Sequence, residues 1–195
     1  MSRHSTIECP DDPEVPGLIA LMLLHDARRI TRFDDDGDIV LLEQQDRSRW
    51  DRLRISEATV LLERAFSSGT VGAYTLQAAI AAAHAAAPTV ASTNWVRIVD
   101  LYDLLIQADP SPLVALNRAV AIGRRDGPEA GLIAVERALE SGGLDRYALA
   151  HAARAGMQRE LGQVANARES YEQARRLTRH PDGLRFVEAQ LQSFQ

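Results

Sequence analysis

The chain has one cysteine, Cys9, no lysine, and only 5% aromatic residues among its 195. A single cysteine excludes an internal disulfide and any metal site built from several thiolates, and it suits a reducing, cytoplasmic setting. Long apolar runs are also missing. The longest near the start, Leu18 to Leu24, is far shorter than the roughly 20 residues a membrane span needs. Acidic residues precede it, where a signal peptide would carry basic ones. With 27 acidic against 22 basic residues, a net charge of −5, general attraction to phosphate backbones is not expected. Every basic residue is arginine. Alongside so much alanine, this fits compositional bias, so arginine clusters carry little weight by themselves.

Catalytic signatures are absent too. There is no HExxH pair, no GxSxG turn and no GxxxxGK[ST] phosphate loop. The five histidines, His4, His25, His84, His151 and His180, are scattered without ligand spacing. The expectation is a protein that binds and does not catalyse, with no cofactor and no metal.

What is present is helical rhythm: 46% hydrophobic and 25% charged residues are ordinary globular values, and one helical hairpin appears twice between residues 111 and 178. Ala119 and Ala155 stand 36 apart, as do Ala138 and Ala174. That is close to the roughly 34-residue period of tetratricopeptide repeats, whose paired helices pack through small residues and bury their apolar faces only by stacking. Punctuation agrees. Ser111-Pro112 starts a helix, Asp126-Gly127-Pro128 separates two, Gly142-Gly143 closes the first hairpin and Gly162 bends the second. The expected fold is all-α, with tetratricopeptide-like hairpins stacked as an α-solenoid. A tail covers 1–10, an N-terminal helical part 11–70, and the repeats with a capping helix from about Leu184 cover 71–195.

In the N-terminal part, Asp12-Pro13-Glu14 opens a helix running to about Arg29, apolar on nearly every side and so covered by more than one later helix. Residues 30 to 42 read as a short β-hairpin around an aspartate-glycine turn. A calcium loop would place Asp34, Asp36 and Glu43 at ligand positions, but Arg32 would then hold the first, which opposes a cation. A plain acidic turn is the better reading. From Asp46 the helical spacing resumes to Ser67-Ser68-Gly69. An alanine-rich helix follows to Pro88, and Thr93 is placed to cap the next helix, which forms a further hairpin with it.

Two polar clusters are candidates for binding. The first joins His25, Asp26, Arg28 and Arg29 to Glu43, Asp46, Arg47, Arg49 and Trp50 across the acidic turn. It reads either as charge pairs with an arginine stacked on Trp50, or as a docking surface. The second is Asn117, Arg118, Arg124, Arg125, Tyr147, His151 and Arg154, on the first helices of the two regular units, which line the concave face of such stacks. It reads either as a partner site or as a solvated, helix-bridging face. Tyr102 and Tyr171 read as core.

Taken in order, LIALMLLHDARR ending at Arg29, LLEQQDRSRWD (41–51), YTLQAAIAAAHAAAP (74–88), ALNRAVAIGRRDGPEAGL (115–132) and YALAHAARAGMQRELGQVANARESYEQA (147–174) resemble the C-terminal extension of a group of bacterial extracytoplasmic-function RNA polymerase sigma factors. The resemblance covers nearly the whole chain from Asp11. It implies a tetratricopeptide-like domain that takes part in transcription initiation. Its implied partners are sigma-factor domains, RNA polymerase or a small regulatory protein. The two helical domains with which such sigma factors read promoters are not in this sequence, so direct DNA binding by this chain is not expected. The alternative is a free-standing tetratricopeptide-like adaptor.

Overall fold

The computed structural model describes Asp12, residues 14–35 and residues 37–194. The proposed tail 1–10, with His4 and Cys9, lies outside the described residues, as does Asp36 of the calcium-loop reading. Nine α-helices appear among the described residues: α1 Glu14–Ala27, α2 Arg52–Ser67, α3 Ala73–Ala86, α4 Trp95–Ala108, α5 Pro112–Asp126, α6 Pro128–Glu140, α7 Ala148–Glu160, α8 Val164–Leu177 and α9 Pro181–Gln192.

Local chemistry sets most of the boundaries. The Ser111 side chain caps α5 with Pro112 at its first position, and Gly127, at φ 98°, supplies the turn before Pro128. The α4 cap is Asn94, whose side chain accepts from the Arg97 N–H at 3.0 Å. Thr93, the expected cap, is instead buried, and its hydroxyl donates back to the Thr89 carbonyl. α1 stops at Ala27, two residues before the expected end, and is followed by a 3-10 turn at Arg29–Thr31. α9 begins at Pro181 and not near Leu184, because Pro181 suits a first helical turn. The expected hairpin near 30–42 shrinks to a single antiparallel bridge, Phe33 with Ile39, and no strand occurs among the described residues.

The helices pack as consecutive hairpins, α1 with α2, α3 with α4, α5 with α6 and α7 with α8, and α9 lies on α8. Each hairpin also contacts the next, so several small apolar cores follow one another along the stack. Ala119, Ala138, Ala155 and Ala174, the periodic small residues, are all buried at these seams. α1 is covered by α2 and α3, while Val15, Ile19 and Met22 stay exposed on its remaining side.

Two features escape local reading. Glu14 of α1 caps α3: its carboxylate accepts from the Gly72 N–H at 3.1 Å, the Tyr74 N–H at 2.7 Å and the Thr75 hydroxyl at 2.7 Å. A carboxylate suits the positive end of a helix whose own cap, Gly72, has no side chain. The second is backbone proximity. A Cβ on Gly131 of α6 would lie 2.6 Å from the Gly123 Cα of α5, so these helices touch where neither residue has a side chain.

Candidate functional site

Residues 32–35 and 37–45 follow α1 as a strap that lies on the face formed by α5 and α9. The Arg32 guanidinium fastens its start, donating to the His25 carbonyl at 2.8 Å. Its turn closes by the Val40 N–H to Arg32 carbonyl bond at 2.9 Å and the Asp34 N–H to Asp38 carbonyl bond at 3.0 Å. Its base is buried. Gln45 donates to the Val40 carbonyl at 3.0 Å, the Thr31 hydroxyl donates to Gln45 Oε1 at 3.2 Å, and Trp50 Nε1 donates to Thr31 Oγ1 at 3.0 Å.

The tip of the strap is held from far along the chain. Arg124 of α5 grips the Glu43 carboxylate in a two-point contact, Nε at 2.7 Å and Nη2 at 2.6 Å, and its Nη1 reaches Glu160 of α7 at 3.3 Å. Arg185 of α9 pairs with Asp38. These acids therefore neutralise arginines, and no group of three or more His, Cys, Asp or Glu side chains suited to a metal occurs among the described residues.

Three cavities open on this face. One of about 730 Å³ lies among α1, α3, α4 and α5, walled by Leu24, Ile80, Leu105 and Val114. A second, of about 470 Å³, runs on between α5, α7 and α9, past Val120, Gly156 and Phe186. Leu42 of the strap borders both. Beyond the strap, Ile39 borders a third cavity of about 710 Å³ between α7 and α9.

The first polar cluster folds around the base of the strap. Arg47 is buried with its guanidinium 5.3 Å from the Trp50 ring, the stacking expected from the sequence. Trp50 is buried as well. Asp46 caps the 3-10 turn Arg47–Arg49, and Asp26 pairs with Arg29 and Arg54. His25 and Arg28 border the cavity among α1, α3, α4 and α5, and Arg49 is exposed.

The second cluster is divided. Asn117 and Arg124 line the groove, and Tyr147 lines the cavity beyond it. Arg118 pairs with Asp103 of α4 at 2.5 Å. Arg125 pairs with its neighbour Asp126. His151 is buried, its Nε2 2.9 Å from the Asp145 carbonyl, and Arg154 Nε donates to Ser170 of α8 at 3.0 Å. Arg118, His151 and Arg154 therefore bridge elements of the fold. Missed in the sequence were the strap's contacts through Asp38, Ile39 and Leu42. The only local signal was the acid-aliphatic-acid order of residues 38–43.

Burial lowers the His84 pKa to about 4, and the nearby Arg47 and Arg28 charges push it the same way. Its Nδ1 has no hydrogen-bond partner among the described residues, and its ring meets Trp95 edge-on at 5.3 Å. An unfolded histidine titrates near 6.5, so below that value the unfolded chain takes up a proton that the native state refuses. Stability contributed by neutral His84 is complete above pH 6.5 and is lost as pH falls toward 4. His25, also lowered to about 4 by burial, Arg28 and Arg32, adds less because it is more exposed. Urea unfolding at pH 5 should give a stability about 2 kcal/mol below that at pH 7. His84→Gln should remove most of that difference, and an unchanged pH dependence would refute the assignment.

Fold and site together define an all-helical scaffold of consecutive hairpins, with a segment of its own chain lying against α5 and α9. Residues 1–66, which hold α1, the strap and nearly all of α2, match the model of a family of unknown function (DUF6596). The chain is also similar to the uncharacterized protein R00370 of Rhizobium meliloti (strain 1021), at 42% identity over 182 residues, covering 93% of this chain and 43% of that protein. The chain thus spans less than half the length of this relative. No solved structure matches it. No helix among the described residues is long and apolar enough to cross a membrane.

Proposed function

We propose that this chain is the regulatory, protein-binding domain of an extracytoplasmic-function type of sigma factor, a cytoplasmic domain that acts by binding and not by catalysis. The observation that carries the reading is the groove across α3, α4, α5, α7 and α9, where a stacked scaffold offers apolar side chains such as Ile98, Val120 and Phe186 with Asn117 and Arg124 among its polar groups. Two things support it: the ordered sequence blocks that resemble the sigma-factor extension, and a relative long enough to hold further domains.

The test uses purified components. The immobilised chain is challenged with core RNA polymerase and with the promoter-reading domains of an extracytoplasmic-function sigma factor from the same genome. Retention of one of them is expected, and Asn117→Arg should weaken it at least tenfold while leaving the helical signal intact. Failure of the folded chain to retain either would overturn the reading in favour of a free-standing adaptor.

A further inference from the structure

We infer that the concave face recognises acidic protein segments carrying aliphatic anchors, that the strap is its resident occupant, and that a partner segment of the same chemistry takes the strap's place. This rests on reading the concave face as a binding surface, and not on the sigma-factor assignment.

The strap displays the recognised pattern. Asp38 and Glu43 meet Arg185 and Arg124, which lie on helices far from the strap in sequence. Between these acids, Ile39 and Leu42 turn to the cavities, the arrangement of a short peptide docked by charged ends and apolar anchors. The fit is incomplete, since Ile39 remains 43% exposed and the cavities on either side stay open. Beyond Ile39, the lining of the third cavity includes Arg146, Arg176 and Arg179 and no carboxylate, so negative charge is favoured there too.

The tip is built to detach. Its ion pairs are about one third to one half exposed, a setting in which water and salt screen most of their attraction. The base, by contrast, is buried through Gln45, Thr31 and Trp50. Release of residues 37–43 therefore breaks the two ion pairs together with the Val40 bonds to the Arg32 carbonyl and the Gln45 amide, and leaves the Thr31, Gln45 and Trp50 contacts in place. Tethering keeps the resident tip at an effective concentration on the order of millimolar, so a partner must bind more tightly than the strap does.

The probe is a fluorescein-labelled peptide of residues 37–45, GDIVLLEQQ, followed by polarisation. The Asp38→Ala/Glu43→Ala double variant should bind it at least tenfold more tightly than the wild type does, because the resident tip no longer competes. Binding should weaken from 50 to 500 mM salt. It should be lost when Arg124→Glu and Arg185→Glu are added, or when Ile39 and Leu42 of the peptide are both replaced by aspartate. Hydrogen exchange provides a second readout on the single variant Glu43→Arg: the Val40 and Gln44 amides, which donate to the Arg32 and Leu41 carbonyls, should exchange faster, with α5 and α7 unchanged. No binding to the double variant at millimolar peptide, or binding indifferent to reversal of the two arginines, overturns the inference. Retention of polymerase or sigma domains alongside such a failure would leave the proposed function standing.

Discussion

Arg47→Met is expected to destabilise the fold by about 3 kcal/mol, measured by urea unfolding at pH 7. Arg47 is 5% exposed and forms no ion pair among the described residues. The two N–H groups of its Nη1 are shared among the carbonyls of His84 at 3.0 Å, Ala87 at 3.0 Å and Thr89 at 3.1 Å and the Thr93 hydroxyl at 3.2 Å. Two of these oxygens close the C-terminal end of α3, where the helix carries partial negative charge, so a buried cation there is solvated by the helix end itself. Methionine keeps much of the stem volume while removing every donor. The cost is therefore that of leaving buried acceptors unsatisfied and not that of a cavity. Arg47→Lys should recover only part of it, because one ammonium cannot reproduce the planar fork and its stacking on Trp50. A loss below about 1 kcal/mol for methionine would show that these bonds are exchanged for water at little cost.

The second large effect lies at the crossing of α5 and α6. Gly131→Val should cost about 3 kcal/mol, because the new Cβ would lie 2.6 Å from the Gly123 Cα and 2.9 Å from the Met157 sulfur. Met157 could swing aside, but the Gly123 backbone cannot move without separating the two helices. Gly156→Ala on α7 is the matched control: a Cβ there meets nothing closer than the Tyr171 hydroxyl at 4.0 Å. It should stabilise the protein by about 0.5 to 1 kcal/mol, since alanine is the better residue inside a helix. Thermal unfolding of both variants separates the explanations, because general intolerance of glycine replacement would move them in the same direction.

The legibility of these features follows the range of the physics behind them. Ser111-Pro112, Gly127-Pro128 and Gly162 act through their own backbone angles and nearest hydrogen bonds, and the structure places helix ends at each. Thr93 and Asn94 are adjacent and both plausible caps. The choice between them was made elsewhere, because Arg47 claims the Thr93 hydroxyl from 46 positions away. Arg47 on Trp50 could be foreseen since three residues in a tight turn bring them together, whereas the burial that makes Arg47 structural could not. Arg154 looked like a groove residue by its place on a first helix, but its rotation about the axis of α7 carries it to Ser170 of α8.

By itself the sequence determined that the chain is helical, where the hairpins after position 110 turn, and that small residues lie at the seams of a stack. Such properties depend on the period of apolar residues and on the backbone freedom of glycine and proline, both of which act over a few residues. Only the tertiary structure decided what occupies the inner face. Glu43 and Arg124 are 81 positions apart and Asp38 and Arg185 are 147 apart. Which carboxylate meets which arginine depends on how every intervening helix packs on the one before it, and no local pattern encodes that sum.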